Sequence, residues 1–142
     1  MINCFDGEYA FLSNFYEHPI QYQGIVYPTN EHFFQAMKSL KEDERKMIAA
    51  AETPGKAKRL GRSITLRPDW EMIKYGVMLL GLRLKFCDIE LREKLRKTGD
   101  EMLVEGNYWH DNTWGDCSCE QCRNIPGQNR LGRLLMQVRN EI

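Results

Sequence analysis

No apolar run in this chain approaches the ~18–20 residues that a membrane-spanning helix requires, which argues against a membrane partner. Net charge is missing too: 20 Lys and Arg offset 20 Asp and Glu, so no global field draws the protein to nucleic acid or an anionic surface. A basic patch would have to be local, built from Lys56, Lys58, Arg59 and Arg62 or from the Arg-rich C-terminal helix. Interleaved Lys/Arg and aromatic residues, the mark of a small nucleic-acid binder, are absent as well. The opening MINCFDGEYAF has neither a basic stretch nor a long apolar one, so no secretory leader is expected. An even set of cysteines is lacking: there are five, the chain is not otherwise a small disulfide scaffold, and a reducing, cytoplasmic setting is expected. Repeats, low-complexity tracts and linkers are also lacking.

What remains is an ordinary globular composition, 42% hydrophobic and 28% charged, in 142 residues. That length suits one domain with a real core and is too short for two. INCF, IQYQ and IVYP read as short strands, the last two joined near Gly24. A helix is expected from about Asn30, acting as N-cap, into the early forties, resuming through ERKMIAAA. Thr53-Pro54 opens a short helix over GKAKRL, with Gly61 as its stop. Trp70, Ile73, Val77, Leu80 and Leu84 recur at steps of three and four and predict a central buried helix over 69–86. IELREKLRK is an amphipathic helix ended by Gly99, EMLVEG a strand, and Leu131, Leu134, Leu135 and Val138 mark a closing helix over 128–140. The sum is a single α+β domain, predominantly helical, with a few short N-terminal strands.

Two stretches stand out. In PTNEHFFQAMK a 3.6-residue winding puts Glu31, Gln35 and Lys38 on one face and His32, Phe33, Ala36, Met37 and Leu40 on the other, expected to be buried. An acid, an amide and a base then follow one another in successive turns, as a solvated surface or as the wall of a site. Glu31 lies in the first turn, where the helix dipole favours its ionised form. His32 is expected to be a packed, hydrogen-bonded structural residue. Lys58 and Arg62, four apart on one helical face, have the spacing to hold a phosphate, or simply form a solvated face. The second stretch, GNYWHDNTWGDCSCEQCRNIPGQ, exceeds twenty residues without periodicity, and loops of that length are usually functional. Trp114 within it must pack against something, either the core or a substrate ring.

Taken together, these segments resemble the NADAR (NAD- and ADP-ribose-associated, YbiA-like) family of N-glycosidases. FLSNF at 11–15, YPTNEHFFQAMK at 27–38, AKRLGR at 57–62, Trp70, KF at 85–86, Glu105, Asp111, Trp114-Gly115 and LGRLLMQVR at 131–139 occur in the family's order. The cysteine-rich stretch after Gly115 is an insertion relative to that pattern. The resemblance implies a compact, mostly helical α+β fold and hydrolysis of the bond between a ribose and a base. The substrates it implies are ribosylamino-pyrimidine phosphates of riboflavin synthesis or ADP-ribosylated guanine, the latter free or within nucleic acid, with no cofactor required. It implies catalytic roles for Glu31, Lys38 and Asp111, and substrate contacts from Ser13, Asn14, Gln35, Lys58, Arg62, Glu105 and Trp114. Cleavage builds positive charge at the anomeric carbon, so a carboxylate near the sugar and a proton donor near the base are needed. Asp111 and Glu105 are the candidates for a second carboxylate, although an Asp three residues before Trp-Gly can equally cap a turn. Lys38 is expected to form a transient Schiff base with the opened sugar, its amine favoured by partial burial and by Lys58 or Arg62. The bland alternative is a surface lysine paired with Glu42.

Cys117, Cys119 and Cys122 form C-x-C-x-x-C and could supply three of the four ligands of a structural zinc. The fourth is open among His110, Asp116, Cys87 and a neighbouring chain. A disulfide inside the cluster and an idle surface loop are the alternatives, and together they outweigh the metal. Two other functions compete with the glycosidase: a non-catalytic NAD or ADP-ribose binding module, and a small zinc-stabilised nucleic-acid binder.

Overall fold

A computed structural model describes all 142 residues of the protein. The fold is α+β with helix predominating, as expected. The chain divides into a continuous unit, residues 14–85, and a split unit made of residues 1–13 and 86–142.

The continuous unit begins with an antiparallel hairpin, β1 (Glu17–Tyr22) and β2 (Ile25–Thr29). Gln23 and Gly24 connect them with φ of 50° and 82°, the left-handed backbone that a two-residue hairpin turn demands. α1 (Asn30–Ala36) follows directly. Its N-cap is Thr29, one residue before the expected Asn30; the Thr29 Oγ1 accepts from the His32 N–H at 3.2 Å.

α1 also ends sooner than its apolar periodicity suggests. Beyond Ala36 the carbonyls that would continue the helix are claimed by arginines from elsewhere in the unit. The Arg67 N–H donates to Lys38 O at 2.8 Å and Arg45 Nε to Ser39 O at 2.8 Å, while the Arg67 guanidinium reaches Met37 O at 3.5 Å. Lys38 therefore sits in the turn after the helix, and Leu40, expected inside, is 64% exposed.

α2 (Glu42–Ala49) resumes after this break. α3 (Pro54–Leu60) opens as expected, Thr53 Oγ1 accepting from the Lys56 N–H at 3.1 Å with Pro54 in the first position. α4 (Trp70–Lys85) is the long helix. Of its predicted stripe only Trp70 is fully buried; Ile73, Val77, Leu80 and Leu84 are half-buried, and Met78, Gly81, Leu82 and Lys85 complete the covered face. Gly81 matters here because a Cβ on it would stand 2.1 Å from Asn30 Oδ1, so the Asn30 side chain of α1 packs directly on the α4 backbone. The unit's aromatic core pairs Phe33 edge-on with Tyr22 and Tyr27, centroids 5.4 and 5.6 Å apart, and Phe34 with Trp70 at 5.0 Å.

In the split unit a 3-10 turn (Gly7–Leu12) buries Phe11 and Leu12. α5 (Ile89–Lys97) is capped by Asp88, which accepts from the Leu91 N–H at 3.0 Å, and is stopped by Gly99 at φ 63°. The strands expected at INCF and EMLVEG reduce to one parallel bridge between Ile2 and Leu103. β3 (Gly106–Asn107) pairs in parallel with β4 (Asp116–Cys117). α6 (Arg130–Glu141) buries Leu131, Leu135 and Val138. No helix is long and apolar enough to cross a membrane.

Candidate active site

Every residue of α1 is buried, including the polar Asn30, Glu31, His32 and Gln35, so the helix has no solvated face. Polar side chains this deep need partners. The Asn14 carbonyl accepts from the Glu31 N–H at 3.0 Å and Asn14 Oδ1 accepts from Asn30 Nδ2 at 2.8 Å, which anchors the first turn. Gln35 Nε2 donates to Glu31 Oε2 at 2.7 Å and fixes that carboxylate one turn away. Gln35 Oε1 has no hydrogen-bond partner. It lies against Gly61 of the chain leaving α3, where a Cβ would come within 2.0 Å of it. Gly61 caps α3 as expected, but with φ −59°, so what requires a glycine there is not a left-handed turn but the close approach of Gln35.

His32 is the packed residue expected. Its Nε2 donates to the Ala51 carbonyl at 3.0 Å, which leaves Nδ1 to accept from Thr29 Oγ1 at 2.8 Å. Burial lowers its pKa, with the Ala51 bond opposing, so the ring stays neutral around pH 7.

Lys38 is half-buried and feels the charges of three other predicted residues. Burial lowers its pKa most; the Glu31 carboxylate opposes this, and Arg62 and Lys58 add like-charge repulsion. Its imagined partner Glu42 instead bridges Lys46 at 3.3 Å. Lys58 and Arg62 are both exposed, and Arg62 lies past the end of α3, so the two do not share a helical face. The continuous unit thus gathers Asn14, Glu31, Gln35, Lys38, Lys58 and Arg62.

The split unit holds Ser13, Glu105, Asp111 and Trp114. Ser13 closes the 3-10 turn, its N–H on Ala10 O. Asp111 Oδ1 accepts from the N–H of Thr113 at 3.1 Å and of Trp114 at 2.9 Å, the turn-capping geometry weighed for it. Trp114 is half-buried, and its carbonyl accepts from Leu131 N–H at 3.0 Å. Glu105 lies beside Gly115: a Cβ there would be 2.2 Å from Glu105 O and 3.2 Å from its Oε2. None of the cysteines is in a disulfide; Cys117 and Cys122 are buried, and His110 joins them and Cys119.

Several organising residues escaped sequence reasoning. Asn107 Oδ1 accepts from the N–H of Trp109 at 3.2 Å and of Asp111 at 3.1 Å, while its Nδ2 donates to Asp111 O at 2.8 Å. Asn129 Nδ2 donates to Leu103 O at 2.8 Å, and its Oδ1 accepts from Glu105 N–H at 3.0 Å. Arg67 ends α1. The asparagines in an aperiodic loop were a usable signal, since Asn side chains mimic backbone; nothing near Arg67 announced its partner thirty residues earlier.

The NADAR domain profile matches residues 4–142. The chain is 42% identical over 138 residues to N-glycosidase YbiA of Shigella flexneri serotype 5b, covering 95% of this chain and 82% of that protein. It is 36% identical over 140 residues to a riboflavin biosynthesis protein of Vibrio vulnificus, covering 96% of this chain and 36% of that longer one. The NMR structure of the E. coli protein YbiA matches with a TM-score of 0.83 at 40% identity, covering 99% of this chain and 84% of that one.

Proposed function

The chain belongs to the NADAR family, and from that membership we propose that it is an N-glycosidase hydrolysing the bond between a ribose and a base. The substrate class is a ribosylamino-pyrimidine phosphate or an ADP-ribosylated guanine, free or within nucleic acid, met in a reducing cytoplasm. One observation carries the chemistry: Glu31, buried and held by Gln35 at 2.7 Å, shares its surroundings with a half-buried Lys38 whose ammonium is disfavoured.

In this reading Lys38, as the neutral amine, attacks the anomeric carbon. The C1–N bond to the base breaks, and the base departs with the proton that the lysine nitrogen gives up. The C1–O4 bond then breaks as the remaining proton on the lysine nitrogen passes to O4, which leaves a Schiff base on Lys38. Water adds across the C1–N double bond, the Glu31 carboxylate taking its proton and handing it to the nitrogen, and the neutral amine leaves as C1 becomes the carbonyl of the free sugar. Gln35 positions the Glu31 carboxylate through its 2.7 Å bond, and Lys58 and Arg62 carry the charge to meet a phosphate. Asn14 enters as a further contact within the same unit, and Ser13, Glu105, Asp111 and Trp114 of the split unit are to be tested singly for a role. A binding module without catalysis is not favoured, because the similar proteins are named as enzymes and binding alone needs no buried acid–amide pair beside an amine.

Incubation with ADP-ribosylated nucleic acid, NAD and ribosylamino-pyrimidine phosphates, followed by mass spectrometry, should reveal a free base from one class. Glu31→Gln should still bind that substrate and release no base. Release of base at the wild-type rate by Glu31→Gln would remove Glu31 from the mechanism.

A further inference from the structure

The sulfurs of Cys117, Cys119 and Cys122 and the ring nitrogen of His110 all lie within 4.8 Å of one another. The geometry points to a structural zinc site of three cysteines and one histidine, closed by residues of the split unit alone. The glycosidase reading does not use this cluster, and the two stand or fall separately.

Three features of the cluster argue for a metal over a disulfide or an idle loop. The first is convergence. His110 Nδ1 is 3.3 Å from Cys119 Sγ and 3.3 Å from Cys122 Sγ, so it sits over two sulfurs at once. A tetrahedral zinc with bonds of about 2.3 Å to sulfur and about 2.0 Å to nitrogen sets its ligands roughly 3.5–3.8 Å apart. The widest present spacing, 4.8 Å, needs a contraction of only about 1 Å to match. A disulfide would join two sulfurs and leave the third, with the histidine, unexplained.

The second is the sulfur environment. Cys117 Sγ accepts from the His110 N–H at 3.4 Å and from the Cys119 N–H at 3.5 Å. Backbone N–H groups aimed at a sulfur stabilise a metal-bound thiolate, and such outer partners orient ligands in metal sites. Cys117 and Cys122 are 4% and 5% exposed, so two of the three thiols are shielded from bulk solvent.

The third is backbone conformation. His110 holds φ at 68°, in the left-handed region that a non-glycine residue adopts at a cost. With the backbone held there, Nδ1 stands 3.3 Å from both Cys119 Sγ and Cys122 Sγ. A histidine binding through Nδ1 leaves Nε2 outward, which agrees with the exposed ring.

The metal would act as a staple. It would tie residue 110 to residues 117–122, and so close the loop carrying Asp111 and Trp114. It offers no open coordination position, as expected of a structural and not a catalytic zinc.

The test uses the full chain purified from zinc-replete cells without chelator. Elemental analysis should find about one zinc per chain, the stoichiometry of a single tetrahedral site. Replacing it with cobalt(II) should give the intense visible bands of tetrahedral thiolate coordination. Cys119→Ser should lose most of the zinc, and His110→Ala should bind cobalt far more weakly while keeping thiolate charge-transfer absorption. His110→Ala keeps all three sulfurs, so it reads the fourth ligand even if a cysteine variant misfolds. Less than about a tenth of an equivalent of metal, with no cobalt spectrum, would overturn the proposal. An intact mass lower by two hydrogens in the metal-free protein, with the bond mapped by peptide digestion to two of Cys117, Cys119 and Cys122, would assign the cluster to a disulfide instead. Zinc content unchanged in Cys119→Ser and His110→Ala alike would place any bound metal elsewhere.

Discussion

A lysine attacks carbon only as its neutral amine, so the surroundings of Lys38 set the pH at which it can work. Its pKa is lowered by burial first, then by Arg62 and Lys58, with Glu31 pulling the other way. Activity should therefore climb with pH and level off below the ~10.4 of an ordinary lysine. Arg62→Gln removes one like charge, raises the Lys38 pKa and should move the rising limb of kcat/KM to higher pH. A limb that does not move would assign that titration to another group. Borohydride added during turnover should trap the sugar on Lys38, and Lys38→Ala should abolish trapping with the thermal midpoint intact; full activity in that variant would return the chemistry to the carboxylates. Asp111 calls for a different comparison, because its Oδ1 already caps two N–H groups. Asp111→Asn keeps an acceptor oxygen and should retain stability, whereas Asp111→Ala should cost about 1–2 kcal/mol in denaturant titrations. Turnover by the folded Asp111→Asn then reads the carboxylate charge alone.

The helices meet at glycines, and there a single methyl group has leverage. Gly61→Ala would drive a Cβ into Gln35, 2.0 Å from Oε1 and 3.3 Å from its Cβ. Gln35 is 4% exposed, so its amide must be displaced within packed surroundings and away from Glu31. The variant should lose about 1–3 kcal/mol of stability, as overpacked sites do. It should lose proportionately more kcat, because the Gln35–Glu31 bond must distort; kcat preserved at wild-type level would show that the bond does not position Glu31. Helix caps were legible in the sequence because they depend on a few adjacent residues: Thr53-Pro54, Asp88 and Gly99 behave as such residues should. The end of α1 was not legible, since Arg67 and Arg45 decide it from a distance. The stripe of Glu31 and Gln35 was readable, but its complete burial was not, because periodicity assigns faces only to a helix that has a wet side.

Over the whole chain, balanced charge and ordinary composition excluded functions more readily than they named one. Short strings in order carried the family, and pairings distant in sequence stayed hidden. Lys85 belongs to the hidden kind: a lysine 1% exposed, Nζ 5.6 Å from the Tyr16 ring centroid, with burial pushing its pKa down to about 7. Between that value and the ~10.4 of the unfolded chain the unfolded state binds more protons, so stability should rise with pH across the window. Below about 7 both forms are protonated and the burial penalty is constant. Denaturant titrations from about pH 7 to 10 should show Lys85→Met lacking up to about 1.4 kcal/mol per pH unit of the wild-type slope. Parallel curves would mean that Lys85 keeps an ordinary pKa. The bridge between Ile2 and Leu103 has a different consequence, one of timing. On the ribosome the continuous unit can close as soon as residue 85 emerges, using neighbours already made. Residues 1–13 must wait, unpaired with their strand partner, until a hundred more residues have been synthesised. Capture of residues 1–13 should thus follow closure of residues 14–85, and a pulse of protease during synthesis should cut in residues 1–13 before anywhere in residues 14–85.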